Sequence, residues 1–126
     1  MIYLDSSVTL AHLLAEDREP PADLWRRPLV ASRLLEYEVW NRINAHGPSD
    51  SHGEPARALV HRLVLIEMEP PVLERALQPF PVPVRTLDAL HLAWSSCALG
   101  QRVELASYDE RLLAAARALG IEIAGL

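Results

Sequence analysis

An alternation constrains this chain more than any single residue does. Short β-forming runs, "MIYLD", "PLVAS", "IEMEP", "RVELAS" and "IEIAGL", are each followed by at least one segment with helical spacing before the next run begins. A strand that leads through a helix to the next strand makes a crossover, and crossovers build parallel sheets. The expectation is an α/β chain: a three-layer α/β/α domain around a central parallel sheet of about five strands. In such sheets ligands bind beyond the carboxyl ends of the strands.

The helical segments carry their own punctuation. "SSVTLAHLLAED" has apolar residues at Val8, Leu10, Ala11, Leu13 and Leu14, and "REPPADLWRR" reads as a short helix with proline at its start. "SRLLEYEVWNRINAHGP" is a helix stopped by Gly47 and Pro48, followed by a loop, "GPSDSHGEP". "PARALVHRLVL" and "PPVLERALQPF" are helical, whereas "PVPVR" is too proline-rich for a central strand and reads as an extended connector. "TLDALHLAWSSCALG" is a helix capped by Thr86 and closed by Gly100, and "YDERLLAAARALG" is the last helix.

Composition then excludes. At 126 residues the chain makes one domain, 1–126. Its single cysteine, Cys97, permits no internal disulfide and suits a reducing cytoplasm. No apolar run approaches the roughly 20 residues of a membrane helix, and the first residues lack the basic region of a signal peptide. The net charge of −5 is the wrong sign for a general phosphate-binding surface. All twelve basic residues are arginine. The missing lysine counts against receiver domains and haloacid-dehalogenase-type phosphatases, which place a lysine near the phosphoryl group. The phosphatase D-x-D is absent too, since Ser6 and Ser7 follow Asp5, and there is no P-loop.

Four acids remain to be explained. Asp5 ends the first strand run, and Asp109 follows "RVELAS", so both fall on the carboxyl edge of the sheet. Glu38 lies six residues after Ser32, about 9 Å along its helix from the same edge. Asp88 sits in the first turn of its helix. Local explanations exist for three: Asp5 is a common N-cap type, Asp88 and Asp109 follow plausible caps by two places, and "SYDE" spells a capping box from Ser107 to Glu110. Glu38 has no such explanation. Glu36 points about 200° away from it around the helix, and periodicity leaves open which of the two faces inward. His91, one turn after Asp88, reads as a packing histidine. His12, His46, His52 and His61 show no metal-ligand spacing.

"MIYLDSS", the Ser32-to-Glu38 spacing in "SRLLEYEV", "LDALHLA" and "SYDERLLAAARALGI" resemble the four signatures of PIN domains, in particular the VapC toxins of bacterial and archaeal toxin–antitoxin pairs. The resemblance runs in order over nearly the whole chain. It implies that Asp5, Glu38, Asp88 and Asp109 form an acidic catalytic and metal site, with Glu38 chosen over Glu36. It also implies that the hydroxyls of Ser6 and Ser107 support that site. The implied activity is a Mg²⁺- or Mn²⁺-dependent endoribonuclease that leaves a 5′-phosphate and a 3′-hydroxyl. The implied partners are an RNA substrate, a VapB-type antitoxin and a second copy in a homodimer. The alternative is a PIN-like protein-binding module whose acidic pocket is not catalytic. Two physical expectations accompany this reading. An apolar groove for the antitoxin should lie over Leu24, Trp25, Leu35 and Trp40. Four crowded carboxylates should repel one another and raise at least one pKa.

Overall fold

The computed structural model describes residues 1–45, 47, 51–97 and 102–126. Among them are five strands: β1 (Ile2–Leu4), β2 (Leu29–Ser32), β3 (Val64–Ile66), β4 (Glu104–Ala106) and β5 (Glu122–Ile123). Six α-helices connect them: α1 (Ser6–Leu13), α2 (Arg33–Ala45), α3 (Gly53–His61), α4 (Pro70–Leu77), α5 (Thr86–Cys97) and α6 (Glu110–Ala118). The strands pair in the order β3-β2-β1-β4-β5, every pair parallel. The helix stops assigned to Pro48 and Gly100, and most of the loop between α2 and α3, lie outside the described residues.

Alternation along the strands makes the layers. Ile2, Leu4, Leu29 and Ala31 face one side and pack with Val8, Leu35, Val39 and Ala56 from α1, α2 and α3. Tyr3, Val30 and Leu105 face the other, against Val72, Leu92, Trp94 and Leu112 from α4, α5 and α6. Full burial of one such aliphatic side chain contributes about 1.5–3 kcal/mol, and Ile2, Leu4, Leu35, Leu92 and Leu105 are all at 0% exposure. Among the described residues no helix is long and apolar enough to cross a membrane.

The short helix expected in "REPPADLWRR" is a 3-10 helix at Ala22–Arg26. Two expectations need correction. The helix expected over "PARALVHRLVL" stops at His61, and Val64–Ile66 leaves it to pair with β2 in the register Val30↔Val64 and Ser32↔Ile66. A run such as "LVLI" satisfies either periodicity, and a strand edge waiting at β2 decides the matter. The four residues assigned to an apolar groove do not form one surface: Leu24 and Leu35 are core, and Trp25 and Trp40 are partly buried against that same core cluster.

The topology fixes where a site belongs. β1, β2 and β3 step outward to one edge; the chain then returns through α4 and α5 to lay β4 on the other side of β1. The crevice at this reversal opens between the carboxyl ends of β1 and β4. The register Leu4↔Ala106 makes those ends level, and the amide of Asp5 donates to the Ala106 carbonyl at 3.0 Å.

Candidate functional site

Asp5 is the residue after β1 and the N-cap of α1, its carboxylate accepting the amide of Ser7 at 3.4 Å. The helix cap is therefore real, but it is not all the side chain does. The same Oδ2 accepts the hydroxyls of Ser7 at 2.5 Å and of Ser107, beyond β4, at 2.8 Å. Ser7 Oγ in turn accepts the Tyr108 amide at 2.9 Å, and Ser107 Oγ accepts the Asp109 amide at 3.0 Å. The two hydroxyls stitch the end of β1 to the end of β4 and leave Asp5 Oδ1 turned toward the crevice side, 3.9 Å from His91. Ser7, which bonds Asp5 as Ser107 does, carries no signal in the sequence beyond its place beside Ser6.

Asp109 is itself the N-cap of α6, its Oδ1 accepting the amides of Arg111 at 2.9 Å and Leu112 at 3.3 Å. This displaces the capping box expected from Ser107 to Glu110, because the Ser107 hydroxyl is spent on the Asp109 amide. Likewise α5 begins at Thr86 rather than being capped by it, and the Arg85 carbonyl accepts the Ala89 amide at 2.9 Å.

On α2 the choice between the two glutamates resolves by facing. Leu35, Val39 and Ile43 form the buried stripe. Glu38 flanks that stripe, and its Oε2 accepts the Ser6 hydroxyl at 3.2 Å. Glu36 turns outward to Arg33 at 2.8 Å.

Asp5, Glu38, Asp88 and Asp109 line one cavity of about 890 Å³, together with Ser6, Arg18, Arg42, Arg85, His91 and Tyr108. Two residues outside the sequence pattern decide its electrostatics. Arg85 Nε donates to Asp88 Oδ2 at 2.8 Å, and its Nη2 donates to Asp109 Oδ2. His91 Nε2 lies 2.8 Å from Glu38 Oε1, and its Nδ1 lies 2.9 Å from the Tyr3 hydroxyl. Burial alone would raise the pKa of Asp109, but Arg85 and the two capping amides outweigh it and hold the carboxyl below its ordinary value. Asp109 is therefore not the crowding-raised carboxylate: its free oxygen meets a guanidinium before it meets another acid. For His91, burial opposes the imidazolium, yet the Glu38 hydrogen bond and the charges of Asp5, Glu38 and Asp88 prevail and raise its pKa. Burial drives the Tyr3 hydroxyl further up still, so it stays a neutral hydrogen-bonding group. His91 is therefore both a buried packing histidine and a polar partner of the site. Its signal in the sequence was the three-residue spacing from Asp88, which puts both on one face of α5.

The donor set fits a hard divalent cation in type, being carboxylate oxygens facing one cavity. Among the described residues no three His, Cys, Asp or Glu side chains stand close enough to hold one ion together. That does not conflict with the chemistry, since Mg²⁺ is held by one or two carboxylates and keeps several waters.

The PIN domain family model matches residues 2–118. Ribonuclease VapC46 of Mycobacterium tuberculosis is 36% identical, the alignment covering 97% of this chain and 95% of the relative. Ribonuclease VapC47 of Mycobacterium tuberculosis is 28% identical over 95% of this chain and 93% of that one. Among solved structures, Mycobacterium tuberculosis VapC20, described as a sarcin-ricin loop cleaving toxin, superposes with a TM-score of 0.71 at 19% identity, covering 91% of this chain and 95% of that one. A toxin–antitoxin complex from Klebsiella pneumoniae contains a chain that superposes at 0.70 and 18% identity, with coverage of 90% and 91%. The structural likenesses speak for the fold, the sequence likenesses for descent: this chain belongs to the PIN domain family.

Proposed function

We propose that this chain is an endoribonuclease of VapC type, the toxin of a toxin–antitoxin pair. The observation that carries the reading is convergence. Four carboxylates spread from residue 5 to residue 109 line a single cavity at the reversal point of the sheet, in a chain 36% identical to a named ribonuclease.

In this reading Asp5 and Asp88 would hold Mg²⁺ or Mn²⁺ directly or through its waters, with Asp109 and Glu38 completing the acidic cluster. Bound there, the cation would supply charge neutralisation at the scissile phosphate and a more acidic water. The chain's own residues do the rest. Ser7 and Ser107 fix the Asp5 carboxylate, leaving one oxygen for the ligand. Glu38, held from one side by Ser6 and from the other by His91, orients the attacking water and accepts its proton. Attack at phosphorus breaks the bond to the 3′ oxygen and leaves a 5′-phosphate and a 3′-hydroxyl. A VapB-type antitoxin that occupies the cavity and a homodimeric toxin belong to the same proposal; light scattering showing only monomer at micromolar concentration removes the dimer from it.

The test is cleavage of a labelled RNA transcript by wild type and Asp5→Asn, with Mg²⁺, with Mn²⁺ and with chelator. Asn keeps the shape and the helix cap, so loss of cleavage by on the order of 100-fold or more isolates the charge. Cleavage that persists in the variant or in chelator removes the proposal. Absence of cleavage in wild type under every metal condition favours the protein-binding module, whose pocket serves only to dock a partner.

A further inference from the structure

Of the charged cavity residues that the proposed chemistry leaves without a task, Arg85 is the one bonded to two of the four acids. Arg85 joins two acids that come from different helices, Asp88 of α5 and Asp109 at the head of α6. A single guanidinium does there what a metal would do, neutralising and tethering both. Its side chain is 52% exposed, against 12% for Asp88 and 30% for Asp109, so it closes the pair from the solvent side. With the guanidinium half-exposed, the pairing contributes little net stability and can be displaced from the solvent side.

The atoms it holds matter more. Asp109 Oδ1 is occupied by the amides of Arg111 and Leu112, which leaves Oδ2 as the oxygen offered to the cavity. Arg85 holds that oxygen and Oδ2 of Asp88. A divalent cation drawn to the same two oxygens would lie within a few ångströms of the guanidinium, where like charges repel strongly.

We propose that Arg85 is a built-in counter-ion that competes with the divalent cation for Asp88 and Asp109. It holds the two carboxylates in the metal-free chain and gives way when the cation enters. The inference rests on the metal reading of the site above and adds to it a residue that sets how much cation the chain needs.

The experiment measures Mn²⁺ affinity by calorimetry at low ionic strength for wild type, Arg85→Gln, Arg85→Lys and Arg57→Gln. Arg57 pairs with Glu54 away from the cavity and controls for the loss of one positive charge. Arg85→Gln should bind Mn²⁺ about fivefold or more tighter than wild type, while melting at a lower temperature without metal. Arg85→Lys keeps the charge but cannot fork between two carboxylates; it should shift affinity the same way by less, and it carries the test if the glutamine variant does not fold. Binding seen only in Arg85→Gln supports the inference in its strongest form. Equal or weaker affinity in both Arg85 variants, or an equal gain in Arg57→Gln, overturns it and leaves the metal site intact. No Mn²⁺ binding by any variant overturns the metal reading and this inference with it.

Discussion

His91 is 2% exposed and still makes two polar contacts, to Glu38 and to Tyr3. With Nε2–H donating to Glu38, the neutral ring accepts the Tyr3 hydroxyl at Nδ1; the protonated ring donates at both nitrogens. The Glu38 contact and the surrounding acids outweigh burial and raise its pKa. Its charged form therefore adds stability that is fully present below the unfolded value of about 6.5 and is lost as pH rises through the higher folded value. Imidazole resonances followed by NMR in the metal-free chain should place His91 above about 6.5, and Glu38→Gln should bring it down, because burial is then opposed only by the charges of Asp5 and Asp88. An unchanged value in that variant would assign the shift elsewhere. The residue scale also shows what a sequence hides. Asp5, Asp88 and Asp109 were legible because strand ends and helix starts place them without knowledge of side-chain direction. Arg85 and His91 were not, although each lies three residues from Asp88, because their roles depend on where a long or planar side chain turns.

At the scale of elements, α1 ends in strain. Ala15 follows the C-cap Leu14 with φ of 48°, in the left-handed region, and the Glu16 amide reaches back to the Ala11 carbonyl at 3.1 Å. This closure turns the chain toward Glu16, Asp17 and Arg18, all of which line the cavity. Glycine is the usual occupant of such a position, and a residue with a Cβ costs about 1–2 kcal/mol there. Part of that is returned by the greater freedom of glycine in the unfolded chain. Ala15→Gly should therefore stabilise by up to about 1 kcal/mol, raising the melting temperature by about 3–5 °C. A thermal melt without that rise would mean the turn is relaxed as it stands. The alternation of strand and helix was legible in the sequence in all but its boundaries, and so was the parallel sense it forces. Strand order was not, since nothing in "RVELAS" says on which side of β1 it will lie. The start of β3 was misread because "LVLI" fits both periods, and only the free edge of β2 distinguishes them.

At the scale of the whole molecule, much of the positive charge is already paired. Arg26, Arg27, Arg33, Arg42, Arg57, Arg85 and Arg102 each pair with a carboxylate. Exposed pairs of this kind contribute about 0–1 kcal/mol each, so their main consequence is electrostatic: these seven guanidiniums are already neutralised before a polyanion arrives. The net charge of −5 repels RNA at a distance. Three arginines line the cavity, Arg18, Arg42 and Arg85, and Arg18 also lies over the Tyr108 ring at 5.4 Å. RNA held through these three alone releases few counterions. For single-stranded RNA, three phosphate contacts give a slope of log affinity against log salt no steeper than about −2. The measurement is fluorescence anisotropy of a labelled oligonucleotide on Asp5→Asn, at fixed Mg²⁺ and a series of KCl concentrations. Arg18→Gln should flatten the slope by about 0.7 and weaken binding of different sequences alike. A slope steeper than about −4 would require phosphate contacts well beyond this cavity, and would place RNA on a surface the three arginines do not define.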